Sequence, residues 1–191
     1  MSARMKAPLL VASLAMFIIT YSAWLPVKAW LAQQLIAHSW QQSQVSKEPV
    51  QPWPWADTSP IAKMHVPRLN KELILLQGVD PTSLAFSAGV MHQYNNLTNN
   101  RPVVIAGHRD THFSFLQDII MKDIISLSDK NGINQLYQVE SMEVVDSEAS
   151  AMLIDEQDSS LVLITCYPFK ALQSGGSLRY VITAKLLPQH Y

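Results

Sequence analysis

The single cysteine of this chain, Cys166, ends an apolar run, Leu161-Val-Leu-Ile-Thr-Cys, and is followed by Tyr167-Pro168-Phe169. A thiolate at a strand end is rigid behind and open in front, and Pro168 keeps the strand from continuing. His108 ends a second apolar run, Val103-Val-Ile-Ala-Gly-His, and opens the polar turn His108-Arg109-Asp110-Thr111-His112. An imidazole beside a thiol can shuttle its proton and protonate a departing amine. Arg179 lies 13 residues beyond Cys166, after the loop Gln173-Ser-Gly-Gly-Ser177, a spacing that lets the two strands be neighbours. Its guanidinium could donate to a carbonyl turning into an oxyanion. The three types together suit acyl transfer through a thioester.

Each residue also has a plainer account. Free cysteines are among the most buried residues and are mostly inert. A histidine at a strand end is often a satisfied polar cap, and a lone arginine on a strand is usually solvated. A rival reading pairs His108 with His112, four apart, as zinc ligands together with Asp110 or Cys166. Arg109 stands where a zinc peptidase would carry its glutamate, and the pair follows a strand and Gly107 rather than a helix start. No metal or other cofactor is therefore expected. Asp110 could orient His108, or could equally pair with Arg109.

The chain is 191 residues long with a formal net charge of −1, so no basic excess points to nucleic acid. Residues 7–27, APLLVASLAMFIITYSAWLPV, carry no charge and are bounded by Lys6 and Lys28. At 1.5 Å per residue, roughly 20 apolar residues span a bilayer core. Arg4, Lys6 and the amino terminus place the N-terminal side in the cytoplasm. A cleaved signal peptide would have a shorter apolar core and small residues at its cleavage site, unlike Val27-Lys28-Ala29. A retained single-pass anchor in the cytoplasmic (inner) membrane is expected, with the rest on the periplasmic side. An unpaired thiol in an oxidising compartment is a liability unless it is buried or used.

The elements that must position these groups follow from patterning. Residues 28–48 space Trp30, Leu31, Ile36 and Trp40 at near-helical intervals, a helix continuing from the membrane with both tryptophans suited to its interface. Prolines 49, 52, 54 and 60 with Trp53 and Trp55 make a linker or a strap. The expected division is a membrane anchor at 1–28, a juxtamembrane helix and Pro/Trp-rich linker at 29–60, and a catalytic domain at 61–191. Short strands are expected at Ile61–Val66, Glu72–Leu76, Val103–Gly107, Asp123–Leu127, Leu136–Val145, Leu161–Cys166 and Leu178–Leu186. Short helices are expected at Pro81–Ala88 and Phe113–Met121. So many short strands with few helices favour a closed barrel or sandwich over a doubly wound sheet.

Four ordered motifs then carry a resemblance. Gly-His-Arg-Asp-Thr-His-Phe at 107–113, Thr-Cys-Tyr-Pro-Phe at 165–169 and Gly-Gly-Ser-Leu-Arg-Tyr at 175–180 resemble sortases of Gram-negative marine proteobacteria. Pro-Trp-Pro-Trp-Ala-Asp at 52–57 is similar to the segment entering their domain. The resemblance implies a mainly β, eight-stranded barrel with short helices, preceded by a transmembrane helix. It implies a cysteine transpeptidase acting on a C-terminal Leu-Pro-x-Thr-Gly-like sorting signal, with an unidentified amine acceptor. Cys166, His108 and Arg179 then become the catalytic set, with Asp110 and Thr165 as orienting or substrate-positioning residues. Ser177 departs from the family, which commonly has proline there, and 88–90 and 94–100 are less Gly- and Pro-rich. An exported thiol peptidase using water, or an envelope scaffold with an inert thiol, are the other classes these residues allow.

Overall fold

The computed structural model describes residues 3–95, 101–149, 154, 158–171 and 175–188. Eight strands close into a barrel: β1 (Pro60–Val66), β2 (Lys71–Gln77), β3 (Gly89–Asn95), β4 (Val103–Ala106), β5 (Ile124–Asp129), β6 (Asn134–Asp146), β7 (Ser160–Cys166) and β8 (Leu178–Leu186). Their order around the barrel is β1-β2-β3-β4-β7-β8-β6-β5, and β5 pairs back onto β1. The pairs β2–β3 and β4–β7 are parallel, and the others are antiparallel. A mainly β barrel preceded by one long apolar helix is thus the observed architecture.

Patterning explains most of these strands. In β1, Pro60, Ala62, Met64 and Val66 are buried and alternate with partly exposed residues, the period of a sheet with one inward face. In β7 the buried run is nearly unbroken. Leu161 and Leu163 face the main core with Met64, Leu75, Ile105 and Phe113. Val162 and Ile164 point the other way, into a smaller cluster with Val104 and Val181. A strand covered on both faces loses its alternation.

Close backbone approach fixes one junction. Gly89 opens β3 where a Cβ would lie 1.9 Å from the Gly78 carbonyl oxygen, so no larger residue fits. The strand it begins was not among those expected, because Gly89, His92, Gln93 and Asn95 give no apolar alternation. The expected helix at Pro81–Ala88 is α2 (Pro81–Phe86), with Asp80 accepting from the Thr82 and Ser83 amides as its N-cap. The expected helix at Phe113–Met121 is instead a 3-10 turn over Ser114–Asp118. Phe113 and Phe115 both turn inward with their rings edge-on at 6.0 Å, a spacing an α-helix does not place on one face.

The N-terminal helix α1 (Ala3–Ser46) is continuous. From Val11 to Leu31 its residues are exposed, and from Val11 onward it is long and apolar enough to cross a membrane. Its second half packs on the barrel through Ala32, Ile36, Trp40 and Ser43, a stripe one turn apart. Trp40, expected at a membrane interface, is therefore a packing residue, only 5% exposed, whereas Trp30 is 63% exposed. The Pro/Trp segment is a strap. The Ser39 hydroxyl donates to the Val50 carbonyl, and the Val50 amide donates to Ser43 Oγ at 3.0 Å. Thr58 Oγ1 donates to the Gln77 carbonyl at 2.8 Å, fastening the strap to β2.

Candidate active site

Strands β4, β7 and β8 are consecutive in the barrel, and all three candidate residues sit at one end of them. In the β7–β8 ladder Cys166 is paired directly with Arg179, so the two side chains leave the same face of adjacent strands. Such opposed residues have Cβ atoms about 4.5–5.5 Å apart. Pairing continues one step further, since the Tyr167 amide donates to the Leu178 carbonyl at 3.0 Å.

The histidine turn is tied to the same end. The parallel β4–β7 ladder ends with Ala106 paired to Ile164, and the Gly107 amide donates to the Ile164 carbonyl at 3.2 Å. The Gly107 carbonyl then accepts from Thr165 Oγ1 at 2.7 Å, with Thr165 buried. His108 therefore leaves β4 beside the end of β7, one strand spacing of about 4.8 Å away. Gly107 is required here: a Cβ would meet the Phe113 ring at 2.8 Å and Ala88 at 3.2 Å. The turn itself closes when the Thr111 and Phe113 amides donate to the His108 carbonyl.

Cys166 is half-buried and free, His108 is exposed, and Arg179 is half-buried. The Arg179 guanidinium is turned toward its own loop, where Nη1 donates to the Gly176 carbonyl at 2.6 Å and the Leu178 carbonyl at 3.0 Å. Gln173 and Ser174 of that loop lie outside the described residues. Tyr167, Phe169 and Tyr180 form an aromatic group beside the thiol strand, with Phe169 and Tyr180 edge-on at 5.3 Å. Burial and the neighbouring Tyr167 push the Tyr180 hydroxyl above its ordinary range.

Asp110 is exposed, and its carboxylate lies 3.4 Å from Arg109 Nε. Arg109, which the sequence presents only as part of a polar turn, is buried. Its Nη2 donates to the Ala171 carbonyl at 3.2 Å, joining the histidine turn to the segment after Cys166. His112 was weighed only as a metal ligand. Residues 108–113 form turns rather than an α-helix, so the shared face that a four-residue spacing would give does not arise. His112 is half-buried and bonded to the Ala85 backbone of α2. Burial, outweighing that bond, holds its ring below the usual imidazole value, and His108 nearby adds to the effect.

The fold has counterparts among known proteins. The family model described as the Sortase domain matches residues 64–187. Sortase D of Bacillus subtilis (strain 168) is 27% identical over 123 residues, 64% of this chain and 61% of that protein. The match thus spans less than two thirds of the relative's length. Among solved structures, a lid mutant of sortase A from Corynebacterium diphtheriae superposes with a TM-score of 0.61 at 21% identity, over 84% of this chain and 95% of the other. A Clostridium perfringens sortase D5 transpeptidase gives a TM-score of 0.65 at 15% identity, over 83% and 99%. The structural likenesses concern the fold, while the domain match reaches from β1 to the end of β8 and takes in every candidate residue. On that match, this chain belongs to the sortase family.

Proposed function

We propose that the chain is a sortase-type cysteine transpeptidase that cleaves a C-terminal Leu-Pro-x-Thr-Gly-like signal and passes the acyl group to an amine. The single observation that carries this is the pairing of Cys166 with Arg179 at the strand end that His108 also borders. The motifs at 107–113, 165–169 and 175–180 support a place among the Gram-negative marine sortases. The apolar first half of α1 supports a single-pass anchor in the cytoplasmic membrane, with the barrel on the periplasmic side. Residues 1–28 then form the anchor, 29–60 the juxtamembrane helix and strap, and 61–191 the catalytic domain.

In the proposed reaction the Cys166 thiolate attacks the carbonyl carbon of the scissile amide. The C=O electron pair moves onto oxygen, giving a tetrahedral oxyanion. Arg179 donates to that oxygen, and to do so its guanidinium leaves the Gly176 and Leu178 carbonyls. The Tyr167 amide is engaged by Leu178, so it is not the second donor in this conformation. When the carbonyl re-forms, the C–N bond breaks and the departing amine takes a proton from the His108 imidazolium. The resulting thioester is attacked by the acceptor amine. Neutral His108 takes the proton that this amine sheds, and the Cys166 thiolate leaves. Thr165 acts as a positioning residue, and Asp110 as an orienting carboxylate at the rim.

The test is mass spectrometry of the full chain incubated with a sorting-signal peptide and quenched in acid. A peptide-sized acyl adduct on Cys166 is expected, together with an amide product when a small amine is added. Peptide cleavage by a Cys166→Ala variant would overturn the assignment. Cleavage with no amide product at any amine concentration would make the enzyme a thiol peptidase.

A further inference from the structure

The apolar stretch 7–27 of α1 is bounded by Lys28, and the helix is already packed on the barrel at Ala32. Four residues of helix rise about 6 Å. With α1 crossing a bilayer, as proposed above, the base of the domain therefore sits at headgroup level. In that base lies a cavity of about 540 Å3 between α1, the strap and α2. Leu31, Leu35, Trp53 and Phe86 make its apolar wall, with the Trp53 and Phe86 rings edge-on at 5.0 Å. Trp55 flanks it with 80% of its surface exposed.

The surroundings name an occupant. Exposed Trp24 and Leu25 lie one turn before Lys28, on the helix face that Lys28, Leu31 and Leu35 turn to the cavity. Lys28 lies at the edge with its Nζ 4.8 Å above the Trp24 ring. Indoles and a snorkelling lysine at this level are the groups that settle at a membrane–water boundary. A partner helix, about 10–12 Å across with its side chains, would fill this volume within roughly one turn. A slender hydrocarbon chain fits a cavity of this size and lining.

We propose that the cavity seats one acyl chain of a phospholipid from the leaflet that α1 leaves, with the lipid phosphate held by Lys28. Trp55 then lies in the interface beside it. The seat would fix the height of the barrel above the bilayer and rests on the reading of α1 as an anchor.

The experiment uses the full chain in nanodiscs of phosphatidylcholine and phosphatidylglycerol. Cys166 is the only cysteine, so a Cys166→Ala background accepts single nitroxide labels. One label goes at Thr82→Cys on the cavity wall and one at Phe17→Cys in the spanning stretch. A third goes at Ile133→Cys in the β5–β6 hairpin, near the Lys47 end of α1. The Thr82 label should be relaxed by oxygen and shielded from a water-soluble nickel chelate at least fivefold relative to Ile133. A Thr82 label as chelate-accessible as Ile133, with Phe17 shielded, would overturn the lipid seat and leave the anchor standing. A chelate-accessible Phe17 label would overturn both. Shielding of Thr82 that appears only on adding a sorting peptide with its apolar tail would overturn the lipid in favour of substrate.

Discussion

The Thr165 hydroxyl donates to the Gly107 carbonyl at 2.7 Å, and the next residues along each strand are Cys166 and His108. One buried hydrogen bond thus ties together the ends of the two strands that carry the proposed nucleophile and proton carrier. Its length is ordinary for a hydroxyl donor, and it is made away from water.

Thr165→Val keeps the shape and removes the donor, leaving the buried Gly107 carbonyl short of a partner. About 1–3 kcal/mol of stability should be lost. Turnover should fall by roughly tenfold with KM little changed, because only the relative placement of Cys166 and His108 shifts. Steady-state kinetics at fixed folded fraction check this, and Thr165→Ser should restore most of the loss. Wild-type turnover in the valine variant would remove the residue from any positioning role.

Gly107→Ala should be destabilising by about 1–3 kcal/mol, since its Cβ would press on the Phe113 ring at 2.8 Å. Adding Phe113→Leu should recover part of both stability and activity. Thermal midpoints of the single and double variants read the coupling directly, and simple additivity would contradict it.

Arg179→Lys should lower turnover on the order of 100-fold, because an ammonium cannot offer two parallel donors to a developing oxyanion. Alkylation of Cys166 by a small neutral reagent should proceed at nearly the wild-type rate, separating oxyanion support from thiol reactivity. A kcat close to wild type in the lysine variant would sink the role.

Acid should weaken the fold in two steps. His112 titrates below the usual imidazole value in the folded chain because of its burial, so its ring favours the neutral form there. The stability it contributes is full above the unfolded value, about 6.5, and is lost as pH falls through the folded value. Asp123 is held below the ordinary carboxylate range by Arg68, whose Nε and Nη2 lie 2.6 and 2.7 Å from its two oxygens. Its contribution is present above about 3.9 and disappears as pH falls through the depressed value. Thermal midpoints of the detergent-solubilised chain between pH 8 and 3 should show both steps. His112→Gln should erase only the upper one and Asp123→Asn only the lower.

The barrel was legible wherever a strand has one wet face or is apolar throughout, as in β1 and β7. It was not legible in β3, whose polar residues and register irregularity between Val90 and Asn95 hide the sheet period. The candidate site was readable because Cys166, His108 and Arg179 all mark ends of apolar runs. Their mutual register was not, since it depends on the parallel β4–β7 pairing across 58 residues between Gly107 and Thr165. Arg109 escaped notice for a related reason. A charged residue in a polar turn reads as solvated, whereas Arg109 is buried and donates to the Ala171 carbonyl, 62 residues away.

The double-sided cover of β7 has a consequence for how this scaffold can vary. A slip of one residue along the strand would exchange the faces that carry Leu161 and Leu163 with those of Val162 and Ile164, trading two differently shaped packing partners at once. The thiol can therefore be moved only in whole-barrel rearrangements, never by small increments. Selection for new substrates has to act through the surrounding turns, while the sulfur stays where the two hydrophobic clusters pin it.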